Sequence, residues 1–141
     1  MAALSELCEE HRKLCDQASL LRSIVMAPVP DAAAIAGMRW QMAHTLHEHC
    51  AHEDEAVYRL IFASGDAAAT QIAWAYRQEH GRIGRAFGQY ISDWPVKRIT
   101  REWSAFRADT LAILERLAAR IAGEEATLYA HAERLRLRRA A

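Results

Sequence analysis

A chain of 141 residues with 18 basic and 18 acidic side chains carries no formal net charge, which removes the usual electrostatic case for nucleic acid or a membrane surface as main partner. The length suits one domain, spanning 1–141, with a core that needs no disulfide or metal staple, and no apolar run is long enough to cross a bilayer. Acids within the first ten residues and an odd count of three cysteines predict a cytoplasmic protein with free thiols.

Long stretches rich in Ala, Leu, Arg and Glu between few breakers, with no alternating strand pattern, predict an all-α fold. The first helix, about 3–26, lines up Leu4, Leu7, Cys8, His11, Leu14, Cys15, Ala18, Leu21 and Val25, so that His11 sits inside an apolar stripe. Ala27-Pro28-Val29-Pro30 breaks it and Asp31 caps the next helix, about 31–63, whose inner face carries Met38, Met42, Leu46, His49, Glu53, Val57 and Leu60. After the Ser64-Gly65-Asp66 turn, a third helix, about 66–91, places His80 on a line with Ala73, Tyr76, Ile83, Phe87 and Tyr90. Trp94-Pro95 interrupts the pattern. The fourth helix, about 97–136, runs through Trp103, Phe106, Thr110, Ile113, Leu117, Arg120 or Ile121, Glu124 and Leu128. Four helices with short connections predict an up-down-up-down antiparallel four-helix bundle. The level of Arg120 fits this least well: either 94–100 is a longer non-helical connection, or the fourth helix overhangs the bundle.

One segment occurs twice. Residues 49–58, HCAHEDEAVY, and 120–129, RIAGEEATLY, superimpose without a gap, giving His49 and Glu53 in one copy and Arg120 and Glu124 in the other. In each a basic or imidazole residue precedes a carboxylate by four, a second acid follows, and a tyrosine ends the segment. Imidazoles and carboxylates drawn from all four helices of a bundle are the donors of non-haem iron or manganese sites. His11, His49, Glu53, His80 and Glu124 form that inward set, and two buried carboxylates need a cation beside them. His44, His47 and His52 are swung away from Glu53 by helical geometry. Cys8 and Cys15 share a face with His11, which suits a redox or soft-metal role, but the commoner reading is of small buried hydrophobes.

A lone histidine in helix one, His-x-x-x-Glu in helix two, Glu-His in helix three, and basic-x-x-x-Glu-Glu ending in an aromatic together resemble the hemerythrin-like family, also called the HHE cation-binding domain. The resemblance covers nearly the whole chain. It implies a four-helix bundle holding non-haem iron, with a histidine from each helix and a glutamate from helices two and four, that binds oxygen or a related small ligand. On that pattern His11, His49, Glu53, His80 and Glu124 are metal ligands, and Arg120 stands where the fourth histidine is expected. A guanidinium is always charged and has only donors, so it cannot ligate. Its presence implies a single ion or an altered di-iron site; alternatively Arg120 neutralises Glu53 and Glu124 in place of metal, or points outward while Ile121 fills the core.

No nucleophile with a base and orienter, no phosphate loop and no zinc spacing of cysteines occurs, which argues against a hydrolase or transferase. The expected function is therefore an iron-binding domain, not an enzyme, that senses or carries oxygen, nitric oxide or redox state and signals through bundle packing. The alternative is a metal-free four-helix regulatory protein acting as a homodimer or on a signalling partner. A ferroxidase or peroxidase activity at a partial site is a third expectation.

Overall fold

The computed structural model describes residues 4–140, the side chains of His80 and Gly81 excepted. The elements are α1 (Leu4–Met26), α2 (Ala32–Glu53), a π-helical turn (Asp54–Tyr58), α3 (Arg59–Ala63), α4 (Ala67–Asp93), α5 (Val96–Arg101), α6 (Trp103–Gly123), a second π-helical turn (Glu124–Leu128) and α7 (Tyr129–Ala140). No strand occurs among the described residues. Asp31 and Asp66 cap rather than begin their helices, accepting the backbone N–H of Ala34 at 3.0 Å and of Ala69 at 2.9 Å.

The fourth segment differs from both expectations. Proline at 95 cannot donate a backbone hydrogen bond, so α4 stops at Asp93 and a short α5 starts at Val96. Arg98 locks this corner: Nη1 donates to the Asp93 carbonyl at 2.8 Å, Nε to Glu102 at 2.9 Å, and the guanidinium lies 3.9 Å above the Trp94 ring. The chain bends at Glu102 and stays helical to Ala140. The residues that upset the level of Arg120 are thus spent in α5 and its bend.

Contacts between segments pair residues in opposite chain order. His11 meets His49 while Gln17 donates to Thr45; Asp54 meets Arg77 while Arg39 reaches Trp94. Arg120 meets Tyr76 while Tyr90 meets Thr110, and His11 meets Glu124 while Arg107 donates to the Val25 carbonyl. Two apolar cores result. One gathers Leu14, Leu21, Met42, Phe87, Trp94, Phe106 and Leu117; the other gathers Leu7, Val57, Ile61, Ala73, Leu128 and Leu135. Each buried leucine contributes about 1.5–3 kcal/mol by leaving water. Between the cores His11, His49, Glu53 and Glu124 form a layer of buried polar side chains. Cys15, expected inside, is exposed, and Cys8 is half-buried.

The larger core holds a buried charge of its own. Arg39 is 4% exposed, donates through Nη2 to the Trp94 carbonyl at 3.0 Å, and lies over the rings of Tyr90 and Phe106 at 5.4 and 5.8 Å. It ties α2 to the end of α4. Arg39→Ala leaves a void and removes these contacts, and is expected to lower stability by about 3 kcal/mol, read as a lowered urea midpoint at unchanged slope.

Candidate metal centre

The doubled sequence segment is also doubled in space. On a regular α-helix, Tyr58 would lie about 140° around the axis from Glu53, five residues away. The π-helical turn Asp54–Tyr58 adds a residue to one turn and buries Val57 and Tyr58 together, each with 0% exposure. The turn Glu124–Leu128 does the same for Glu124 and Tyr129. The contacts correspond as well. His49 Nε2 lies 3.1 Å from Glu53 and 3.4 Å from the Tyr129 hydroxyl; Arg120 Nε lies 2.8 Å from Glu124, and its Nη2 lies 3.5 Å from the Tyr58 hydroxyl.

The imidazole half converges on a point. One ligand atom from each of His11, His49, Glu53 and Glu124 lies within 4.8 Å of all the others, and all four residues are buried. His11 Nε2 is 3.0 Å from His49 Nε2 and 2.9 Å from Glu124 Oε1. Neighbouring ligands at about 2.1 Å from one ion stand roughly 3.0–3.4 Å apart, and the donor atoms here lie at the short edge of that range.

The outer side of each ring turns it toward that role. His11 Nδ1 bonds Glu125 at 2.7 Å, and His49 Nδ1 bonds Glu10 at 2.8 Å. A ring that donates from Nδ1 to a carboxylate presents the Nε2 lone pair inward, the arrangement that orients histidine ligands and raises their basicity. Glu10 also accepts from exposed His52. Among the described side chains, and with neutral imidazoles, the cluster sets Glu10, Glu53, Glu124 and Glu125 against the single cation Arg120. That excess of negative charge and of inward lone pairs calls for a metal ion or for protons in its place.

Without metal, protons take up the role. Burial opposes a charge on His49, but hydrogen bonds to Glu124, Glu53 and Glu10 outweigh it and raise this imidazole from 6.5 to about 11. Burial would likewise raise Glu124, yet hydrogen bonds with His11 and His49 and the Arg120 charge hold its carboxyl well below the usual range. Burial, and then the charges of Glu53 and Glu124, push Tyr129 far above its ordinary value, so its hydroxyl keeps the proton and donates to Glu53 Oε2 at 2.6 Å.

The arginine half is closed. Arg120 turns back onto Glu124 Oε2, donates through Nη2 to the Tyr76 carbonyl at 2.7 Å, and lies 5.1 Å over the Tyr76 ring. It does not point outward, although Ile121 is buried as well. The Tyr76 hydroxyl lies so close to Gly123 that a Cβ there would come within 2.8 Å of it, which accounts for a glycine inside a helix. A second metal beside Glu124 would have to displace this guanidinium.

Of the expected ligands, four come together and the fifth, His80, lies outside the described side chains. His44 pairs with exposed Glu48 and stacks on Trp40, and His47 is exposed. Glu10, Glu125 and Tyr129 were not expected at the site. Their signals were the acid beside His11, the second acid of the repeat, and its closing tyrosine five residues after the carboxylate. The description hemerythrin HHE cation binding domain matches residues 2–132. The chain belongs to the hemerythrin family. The match spans both copies of the repeat, so the hemerythrin HHE domain here includes Arg120 as well as the convergent donors. Comparison with curated proteins and with solved structures finds no match. No helix among the described residues is long and apolar enough to cross a membrane.

Proposed function

We propose that this hemerythrin-family chain is a non-haem iron protein with a single-ion centre, held by His11, His49, Glu53 and Glu124 on an up-down-up-down four-helix bundle, with His80 as a further ligand. The observation that carries this reading is the convergence of four buried donors at the spacing of one coordination sphere, beside a second position closed by Arg120. Bound there, iron would supply affinity for a small ligand such as oxygen or nitric oxide and a change of redox state. The opposite order of the contacts between neighbouring segments supports the bundle.

The protein's own part is to orient, enclose and respond. Glu10 and Glu125 fix the two imidazoles, Tyr129 holds Glu53, and Arg120 holds the outer oxygen of Glu124. Beside them lies a cavity of about 10 Å³ lined by Leu14, Leu46, Cys50, Ile83, Leu117 and Ile121 as well as by His11, His49, Arg120 and Glu124. It is just large enough for about one water-sized molecule, so a larger organic substrate does not fit there unless the walls move. A ligand arriving there presses on residues of α1, α2, α4 and α6, a route by which occupancy changes helix packing and is passed to a signalling partner or a second copy.

The metal-free regulator is the second reading, favoured by the buried Arg120–Glu124 pair. Its weakness is that Arg120 bonds only one of the two inner glutamates, leaving His11 and His49 facing Glu53 and Glu124. Anaerobic titration with ferrous iron separates the two: one ion per chain is expected, and no binding leaves the regulator. Ferroxidase and peroxidase turnover are read in the same preparation by iron-dependent consumption of oxygen or peroxide, and absence of turnover is expected.

Binding has a pH signature. The His49 pKa is raised on folding, so its contribution to metal-free stability is complete below about 6.5 and is lost as pH rises through about 11. Iron needs the same nitrogen without its proton. Affinity is therefore expected to rise at least about tenfold per pH unit above neutrality, with one proton released from His49 per ion. Calorimetry in two buffers of different ionisation heat checks this; heats independent of the buffer would contradict it.

A further inference from the structure

We propose that Tyr129 is a further donor to the ion, beside the four buried donors and His80, its phenolic oxygen binding the metal directly; the inference rests on the single-ion reading above. A buried tyrosine that only needed a hydrogen bond would be satisfied by Glu53. Tyr129 is placed more specifically. Its oxygen lies 2.6 Å from Glu53 Oε2, 3.3 Å from His11 Nε2 and 3.4 Å from His49 Nε2, and so faces three of the four donor atoms at once. The two separations from the imidazole nitrogens are those of neighbouring ligands on one ion with bonds of about 2.1 Å, and the shorter contact is the hydrogen bond that takes the phenol proton toward Glu53.

Two features aim the hydroxyl there. The π-helical turn Glu124–Leu128 puts Tyr129 on the face of Glu124, and the phenol ring stacks on His11 with centroids 5.3 Å apart and planes 3° from parallel. Tyr58, its counterpart in the repeat, shows the contrast. It has the same turn and the same burial, but its hydroxyl faces Arg120 Nη2 at 3.5 Å. One tyrosine of the pair attends the ion and the other attends the cation that replaces one. Phenolate is a known type of iron ligand, and it adds the negative charge that favours the ferric state. On binding, the O–H bond breaks, the oxygen pair goes to the metal, and the proton leaves through Glu53 to the buffer; no electron is transferred in this step.

The test is optical. Wild-type protein is loaded anaerobically with ferrous iron, counted for bound metal, oxidised with ferricyanide, and examined by visible absorption and resonance Raman spectroscopy. A phenolate-to-iron(III) charge-transfer band with phenolate ring modes is expected. Tyr129→Phe should lose the band while still binding iron, and Tyr58→Phe and Tyr76→Phe should keep it. The fourth tyrosine, Tyr90, bonds Thr110 inside the larger core, so these two variants assign the band even if Tyr129→Phe does not fold. Iron bound without the band overturns the role of Tyr129 and leaves the centre standing. A band that survives Tyr129→Phe, or is lost in Tyr58→Phe or Tyr76→Phe, also overturns it. Failure of wild-type protein to bind iron removes the centre itself and this proposal with it.

Discussion

His49→Ala is expected to abolish iron binding at concentrations that saturate the wild type, lowering affinity by more than about 100-fold. Loss of an outer partner alone costs about 10–100-fold in comparable centres, and this change removes a donor directly. Glu10→Gln, which keeps the ligand and weakens only its orientation, should fall within that 10–100-fold range. The ranking follows from the geometry: His49 Nε2 is the inner atom and Glu10 touches the opposite nitrogen. A second readout separates lost affinity from lost fold. An ion present at about 100 times its dissociation constant stabilises the folded chain by about 2.7 kcal/mol, so wild-type protein should melt higher with ferrous iron and His49→Ala should not. Helical circular dichroism should be retained in both. If His49→Ala takes up iron as the wild type does, the four residues are not the centre.

The sequence showed the inner layer because a polar residue on an apolar helical stripe is conspicuous against its neighbours. His11 lies between Leu7 and Leu14, and Glu124 between Ile121 and Leu128, and period alone marks them. The outer layer was hidden for the same reason. Glu10 and Glu125 sit at positions that the helical period assigns to the surface, and they reach the site only because two segments approach each other. The π-helical turns were hidden too, although the five-residue spacing from glutamate to tyrosine in both copies was their trace. Arg39 gave no signal, since its burial depends on the corner made by Trp94 and α5 and not on its own helix. At that corner a helical rise counted along one straight segment put Arg120 at the wrong level, because the bend at Glu102 resets the count.

Arg120 decides how many ions the site takes, and two substitutions divide its roles. Arg120→His removes the guanidinium from Glu124 Oε2 and puts an imidazole at the position equivalent to His49, so bound iron is expected to rise from one ion per chain toward two. An unchanged single ion would mean that something other than Arg120 excludes the second. Arg120→Met removes the charge and supplies no ligand, leaving the carboxylate of Glu124 buried with only the imidazoles to offset it. Breaking a buried pair from one side costs about 3–5 kcal/mol, and the upper end is not expected here because His11 still hydrogen-bonds Glu124 and His49 lies 3.7 Å from it. The loss should depend on pH in a fixed direction. The Glu124 pKa is depressed in the folded wild type, so its contribution is present above about 4.5 and falls away as pH drops. Without Arg120 that depression shrinks, and the deficit of Arg120→Met against wild type, measured by urea unfolding, should be large at neutral pH and narrow on acidification. Iron should narrow it as well, because an ion at Glu124 Oε1 supplies the positive charge that the arginine gave. A deficit indifferent to both pH and iron would make Arg120 a packing residue and remove it from the electrostatics of the centre.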